Sequence, residues 1–186
     1  VAGDHGAIPL HTIVAPNATL AHAGLTTVDP RSGDLMDWSA LSRSNGGSAF
    51  VYAEKEEDAL LARRALEDEG AQTGAFHVVS AGTLLRLGAD PAAWFGIEAE
   101  PGYAFSDAPS GPRLAAAAAR AVGGYLPDRV EMDAGFVAFG PGLRRGVRVP
   151  RMGLVDVAPT LAHLVGLALP ETDGHALVGL FEAAGG

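Results

Sequence analysis

No cysteine occurs among the 186 residues, which removes a disulfide framework and a thiolate metal site together. Any metal the chain binds must be held by oxygen and imidazole. Basic residues are scarce too, with Lys and Arg numbering 13 against 22 Asp and Glu, for a formal net charge of -9. That balance argues against a sequence-independent nucleic-acid binder, which needs basic surface against phosphates. An anionic substrate would then need a local positive device, such as a metal. Long apolar runs are also missing: the longest stretch, LAAAAARAV, is too short to span a bilayer, and no basic region followed by an apolar run marks a signal peptide. What the chain does have, 48% hydrophobic and 19% charged residues, suits one globular domain or part of a larger one. No internal repeat or domain linker interrupts it.

The first ten residues are VAGDHGAIPL, beginning without Met directly before the most suggestive motif. The expectation is that further sequence precedes Val1 in the gene product. Neighbouring side chains on a regular strand point to opposite faces, so Asp4 and His5 reach one small target only if the backbone turns there. Gly3 and Gly6 permit such a turn. One reading is a plain turn in which Asp4 caps nearby amides and His5 bonds the backbone. The other is a metal pair, because a carboxylate and a neutral imidazole are donors zinc accepts, and α/β sheets place their sites at strand ends. Two donors do not complete a zinc site, so the others must come from elsewhere in the chain or from upstream.

Along the chain, PNATLAHAGL reads as a short helix with its own start and stop, and Thr26 to Gly47 as loop. SAFVYA is a strand. EKEEDALLARRALEDEG is the clearest helix, acidic at its start, with Leu60, Leu61, Ala65 and Leu66 as an apolar side and Gly70 as its end. AFHVVS is a further strand, AGTLLRLGA a short helix, and AWFGIEAEPGYAF is strand-like but broken at Pro101 and Gly102. RLAAAAARAV is helix-prone by propensity or else a flexible surface segment. AGFVAFGPG has the pattern of a strand buried on both faces. LVDVAPTLAHLVGL reads as a helix capped by Asp156, with Pro159 in its first turn and Leu161, Leu164 and Val165 on one face. Strands alternating with helices predict a parallel sheet covered on both faces.

GDHGAIP, GYLPDRVEMDAGFVAFGPGLRRGV and VDVAPTLAHLVGLALPETDG, in that order, resemble the C-terminal half of the type I phosphodiesterase/nucleotide pyrophosphatase group of the alkaline phosphatase superfamily. The likeness covers both ends of the chain well and Thr26 to Arg120 loosely. It implies an α/β fold, an alkaline phosphatase-like three-layer sandwich with a mostly parallel central sheet and helices on both faces. Residues 1–186 would be the C-terminal part of one such domain, incomplete at the N-terminus. It further implies a hydrolase of phosphodiesters or nucleotide pyrophosphates that uses two zinc ions and a covalent phospho-enzyme. Asp4 and His5 match the family's adjacent metal-binding pair. The nucleophile and the remaining upstream ligands would lie before Val1, so no catalytic residue is assigned within this chain, and the chain alone is expected to be inactive. The expected partners are a small phosphate ester or nucleotide and the missing N-terminal part of the same protein, with no nucleic acid duplex and no membrane span. A His usually completes the second metal site just before YLPD, but Gly123 and Gly124 stand there. That departure motivates one alternative, a non-catalytic member of the fold that binds a ligand or partner; a second alternative is a manganese-dependent phosphomutase of the superfamily, which no feature of the sequence requires.

The remaining candidates read more simply. His175 in DGHAL is a conceivable substitute ligand, with a surface turn as its plainer reading. His11 and His22 flank the first helix as surface or supporting groups. His77 and His163 sit within strand and helix patterns and read as structural. Arg144 and Arg145 follow GPG, where they either meet substrate phosphate or form a solvated basic pair. Asp133 receives no role.

Overall fold

A computed structural model describes residues 1–182. The chain divides into two compact units: one is His5–Asp133, the other joins Val1–Asp4 to the residues from Ala134 onward.

The His5–Asp133 unit runs β1 (Ile8–Pro9), β2 (Thr12–Val14), α1 (Pro16–His22), β3 (Thr26–Val28), β4 (Leu35–Trp38), β5 (Ala40–Ser44) and β6 (Ser48–Ala53). It continues with α2 (Glu56–Thr73), β7 (Phe76–Ser80), α3 (Ala81–Arg86), β8 (Phe95–Ala99), β9 (Tyr103–Phe105), β10 (Leu114–Ala116) and β11 (Ala121–Val122). Its largest sheet has the order β5-β6-β8-β7, and every pairing in it is antiparallel. A second sheet, β10-β2-β9, contains a parallel pair, β2 with β9. β3–β4 and β1–β11 are antiparallel pairs. The fold is therefore mixed α/β, but the pairings are mostly antiparallel rather than the mostly parallel central sheet expected from the alternation of strands and helices. One stretch explains the antiparallel β5–β6 pairing. Asn45-Gly46-Gly47, with Gly46 at φ +94, closes a hairpin that joins β5 and β6 directly. No crossover helix is then needed, and a parallel pairing has no occasion to form.

Alternation along the strands sorts the core. Ala49, Val51, Phe95 and Ile97 pack with Ala62 and Leu66 of α2 and Leu20 of α1. Residues of opposite parity, Phe50, Tyr52 and Val79, pack with Leu84 of α3. Asn17 joins α1 to β5 from inside: its side chain accepts from the Ser42 backbone N–H at 2.7 Å and donates to the Ser42 and Asp107 carbonyls at 2.9 and 3.2 Å.

Within α2 the buried positions are Ala59, Ala62, Leu66, Glu69 and Gly70. Leu60 and Leu61 are exposed, which corrects the apolar side expected from the sequence; only Leu66 of that stripe enters the core. The helix also runs past Gly70. A Cβ at Gly70 would stand 2.6 Å from the Phe76 carbonyl oxygen, so the glycine lets β7 approach the helix. The end comes at Gly74, in the left-handed conformation at φ 63. RLAAAAARAV forms no helix. Its residues supply edge strand β10, which pairs with β2, and then β11, because edge hydrogen bonding outweighs the modest propensity of alanine.

In the second unit α4 (Val157–Leu164) follows a 3-10 turn at Leu154–Asp156. The helix is where the sequence placed it, but Leu161, Leu164 and Val165 are exposed and the buried residues are Thr160 and Ala162. AGFVAFGPG forms no strand. It makes a single antiparallel bridge, Phe136 with Ala2, and Val137 and Phe139 are 61% and 82% exposed. The double-sided burial inferred from its composition is therefore not found within this chain.

Candidate functional site

The backbone bends at Asp4, as the GDHG pattern predicts. The two flanking glycines act differently, however. Gly3 donates its N–H to the Gly135 carbonyl at 2.8 Å, and a Cβ on it would meet nothing closer than 3.6 Å. Gly6 is the position that admits no side chain: its Cβ would stand 1.8 Å from the Glu131 carbonyl oxygen, where the chain is held by Gly6 N–H donating to the Met132 carbonyl at 3.1 Å. The requirement at Gly6 is thus close approach, not a positive φ. Asp4 ends one compact unit and His5 begins the other.

His5 Nδ1 lies 2.7 Å from the Gly6 carbonyl oxygen. A carbonyl only accepts, so this contact assigns a proton to Nδ1. The ring also lies against Gly123, where a Cβ would come within 2.6 Å of its Cε1 and Nδ1. The position at which the resemblance implies a histidine is thus covered by His5. A carboxylate such as that of Asp4 and an imidazole such as that of His5 are each donor types that zinc accepts. Among the described residues no group of three or more His, Asp or Glu side chains is placed to hold a metal ion.

The other signature residues hold the fold together. Tyr125 of YLPDR lies flat on Gly47, where a Cβ would be 2.2 Å from its ring, and donates its hydroxyl to the Tyr103 carbonyl at 2.5 Å. Burial pushes its phenol upward. Arg129 stacks on the Tyr125 ring at 5.6 Å and donates from Nε to the buried Glu98 at 2.6 Å. Burial works against the Arg129 charge, but the Glu98 hydrogen bond and the charges of Glu98, Glu100 and Asp128 outweigh it, and its pKa is raised. His77 completes this group, with Nε2 3.5 Å from Glu98 and Nδ1 3.2 Å from Glu100. Sequence reading missed the cluster because its members are far apart in the chain; the one available signal was the charged pair at Asp128 and Arg129.

In DVAPT, Asp156 does not cap α4 with its side chain. Its carboxylate accepts the backbone N–H of Gly153 and of His175, both at 2.9 Å. Those two bonds, with a smaller contribution from the His175 charge, hold its pKa below the usual value. Thr160 continues the tie, donating to the Asp156 carbonyl at 2.6 Å and accepting from Leu177 N–H at 3.0 Å. His175 is therefore held through its backbone N–H at an exposed position just after the bend at Asp173 and Gly174. His163 stacks on Phe181 at 4.6 Å, His11 packs edge-on to Tyr103 at 5.0 Å, and His22 Nδ1 lies 2.6 Å from the Ala18 carbonyl. Asp133 and Arg145 are exposed, and Arg144 contacts the Gly179 carbonyl at 3.3 Å.

No family model matches the chain, and no curated protein matches its sequence. Solved structures do. Human ectonucleotide pyrophosphatase/phosphodiesterase 5 aligns with a TM-score of 0.68 at 17% identity, over 98% of this chain and 44% of that one. The murine protein of the same name aligns at 0.69 and 18%, both alone and as an inactive variant in complex with AMP, again over 98% and 44%. The chain thus shares the fold of part of these proteins and spans less than half their length.

Proposed function

We propose that this chain is part of a metal-dependent hydrolase of phosphodiesters or nucleotide pyrophosphates, in which Asp4 and His5 supply one pair of zinc ligands. The observation that supports this most is that a fold shared with nucleotide pyrophosphatase/phosphodiesterases extends over 98% of the chain and includes an adjacent carboxylate and imidazole at its opening bend. A nucleotide is the natural ligand class, since one of those structures holds AMP. Zinc, when bound, would supply Lewis-acid activation of a phosphoryl oxygen and of the attacking group. The chain's own residues do the rest: Gly6 lets the bend close on Glu131, the Gly6 carbonyl orients the His5 ring, and Asp4 brings the negative charge that offsets the cation. In this reading the nucleophile and the remaining ligands lie upstream of Val1.

The test uses the intact protein, with Asp4 and His5 replaced together by Ala. Bound zinc, measured by elemental analysis, should fall, and hydrolysis of bis-nitrophenyl phosphate should drop by more than the roughly 100-fold that loss of an outer-shell group produces. Full zinc content and full rate in the double variant would leave the opening stretch as only a turn. The 186 residues by themselves should hydrolyse no phosphodiester, even with added zinc.

A second reading, a non-catalytic member of the fold that binds a nucleotide, is favoured by one feature: Gly123 carries no donor atom and is covered by the His5 ring. AMP binding by the intact protein without turnover would support it.

A further inference from the structure

The unit made of Val1–Asp4 and the residues from Ala134 onward buries little of its own apolar surface. Among its described residues the buried hydrophobics are Leu143, Ala162 and Leu180, whereas Val137, Phe139, Leu161 and Val165 are exposed. A single exposed leucine is ordinary, but a group of them marks a surface that something covers. The helix α4 shows this best. Its sequence, VAPTLAHL, has no Asp, Glu, Lys or Arg, and only Thr160 and Ala162 are buried. A helix apolar around most of its circumference belongs inside a protein. Leu161, Leu164 and Val165 follow the i, i+3, i+4 spacing that puts them on one open face.

That face adjoins the AGFVAFGPG stretch. Leu164 Cδ1 would touch a Cβ at Gly142, the last residue of the stretch, at 3.6 Å. Nearer its start, the stretch pairs with the first residues of the chain. Val1 N donates to the Val137 carbonyl at 2.7 Å, Val137 N–H to the Val1 carbonyl at 2.8 Å, and Gly3 N–H to the Gly135 carbonyl at 2.8 Å. Ala2 thus opposes Phe136 in an antiparallel bridge. Continued in the same register, the residue preceding Val1 opposes Ala138, and the one before it exchanges backbone hydrogen bonds with Phe139.

We propose that Val137, Phe139, Leu161, Leu164 and Val165 form an intramolecular docking face, covered by the polypeptide that precedes Val1, whose last residues run as an apolar strand beside Ala138 and Phe139. This rests on the reading above that further sequence lies upstream of Val1, and not on hydrolase activity. Two observations favour that occupant over a second copy of the chain. The structures that share this fold over 98% of its length match it over only 44% of their own, so more than half of each has no counterpart here. The register also delivers the preceding residues to Ala138 through a covalent bond, at an effective concentration that a separate molecule does not reach. A strand buried between Phe139 and further backbone is the setting in which a continuous apolar run such as AGFVAF is found.

The absence of cysteine from these residues makes thiol labelling of the intact protein a direct test. Val165 and Leu60 of α2 are 64% and 62% exposed, so Val165→Cys and Leu60→Cys differ only in what the rest of the protein adds. A maleimide, followed peptide by peptide by mass spectrometry, should react with Val165→Cys at least about 100-fold more slowly than with Leu60→Cys, as a site reached only by local opening does. In the unsubstituted protein, which removes any effect of the substitutions on folding, the Phe139 N–H should exchange with deuterium as slowly as that of Val137. Equal labelling at the two cysteines overturns the proposal, as does a Phe139 N–H that exchanges at the unprotected rate. So does protection that vanishes on dilution together with a halving of the mass in ultracentrifugation, which assigns the face to a second copy. A failure of the hydrolase reading would appear separately, as unchanged zinc content and rate in Asp4→Ala/His5→Ala.

Discussion

The imidazole of His5 lies over Gly123 so closely that a Cβ at Gly123 would stand 2.6 Å from two of its ring atoms. His5 is exposed, so a side chain at 123 can be accommodated by turning the ring away. The expected outcome for Gly123→Ala is therefore little loss of stability, within about 0.5 kcal/mol as for most surface changes, together with reduced zinc retention by the intact protein. Denaturant melts and elemental analysis on one preparation check both parts. Unchanged zinc in Gly123→Ala would mean that the His5 orientation seen here is not the ligating one.

Arg129 is the partner of a buried carboxylate rather than a surface charge. Glu98 is 5% exposed, and its Oε1 takes Arg129 Nε at 2.6 Å and Leu126 N–H at 3.3 Å. Removing one member of a buried pair leaves the other charge uncompensated, typically at a cost of about 3 to 5 kcal/mol. Arg129→Met, which keeps the packing on Tyr125, should lower stability toward that range in urea, and Arg129→Met with Glu98→Gln should recover part of it. No recovery in the double variant would show that the loss comes from packing.

Local signals were the legible part of this chain. The strands SAFVYA and AFHVVS fall at Ser48–Ala53 and Phe76–Ser80, and α1, α2 and α3 fall within the stretches that read as helices, although α2 runs past Gly70 and leaves Leu60 and Leu61 exposed. Sheet direction is not legible from alternation alone, because the Asn45-Gly46 hairpin signal lies at the end of a stretch of loop-like composition that holds β3, β4 and β5. Composition also misled where burial depends on what lies opposite. AGFVAFGPG and the Leu161, Leu164 and Val165 face are apolar but exposed here, and periodicity does not reveal which surface, if any, covers them. At the site, the bend at Asp4 was readable. The role of Gly6 was not, since its close neighbour Glu131 is remote in sequence, and the same distance in sequence hid the group of Glu98, Arg129 and His77.

Asn17 is 1% exposed, and each end of its amide is used. Truncation to Ala would leave the Ser42 N–H and two carbonyls without their partner in a buried place, where each unmet group costs about 1 to 3 kcal/mol. Asn17→Ala should thus destabilise by roughly 3 kcal/mol, toward the upper end for single substitutions. Asn17→Asp should be no better, because a carboxylate oxygen would face the Ser42 and Asp107 carbonyls in place of the donating NH₂. Equilibrium urea unfolding measures both, and a loss below that of ordinary surface substitutions would show that water replaces the amide.

Asp156 gives stability a dependence on pH whose sign follows from its contacts. Its carboxylate is held below the usual value of 3.8 chiefly by the His175 N–H, then by the Gly153 N–H. Folding therefore favours the ionised form, and the contribution is fully present above the unfolded value and lost as pH falls through the lower, folded value. The group is exposed, so the effect is screened and modest. Asp156→Asn retains one oxygen acceptor but no charge, and loses one of the two amides. At pH 7 this variant should melt below the parent, with the turn around His175 exchanging its amides faster. As pH drops below 3.8 the two melting temperatures should converge, because the parent's carboxylate has taken up a proton and lost its advantage. A gap that stays constant from pH 7 down to pH 2 would mean that Asp156 acts through its shape alone, and that the charge contributes nothing to holding the 153–156 turn against His175.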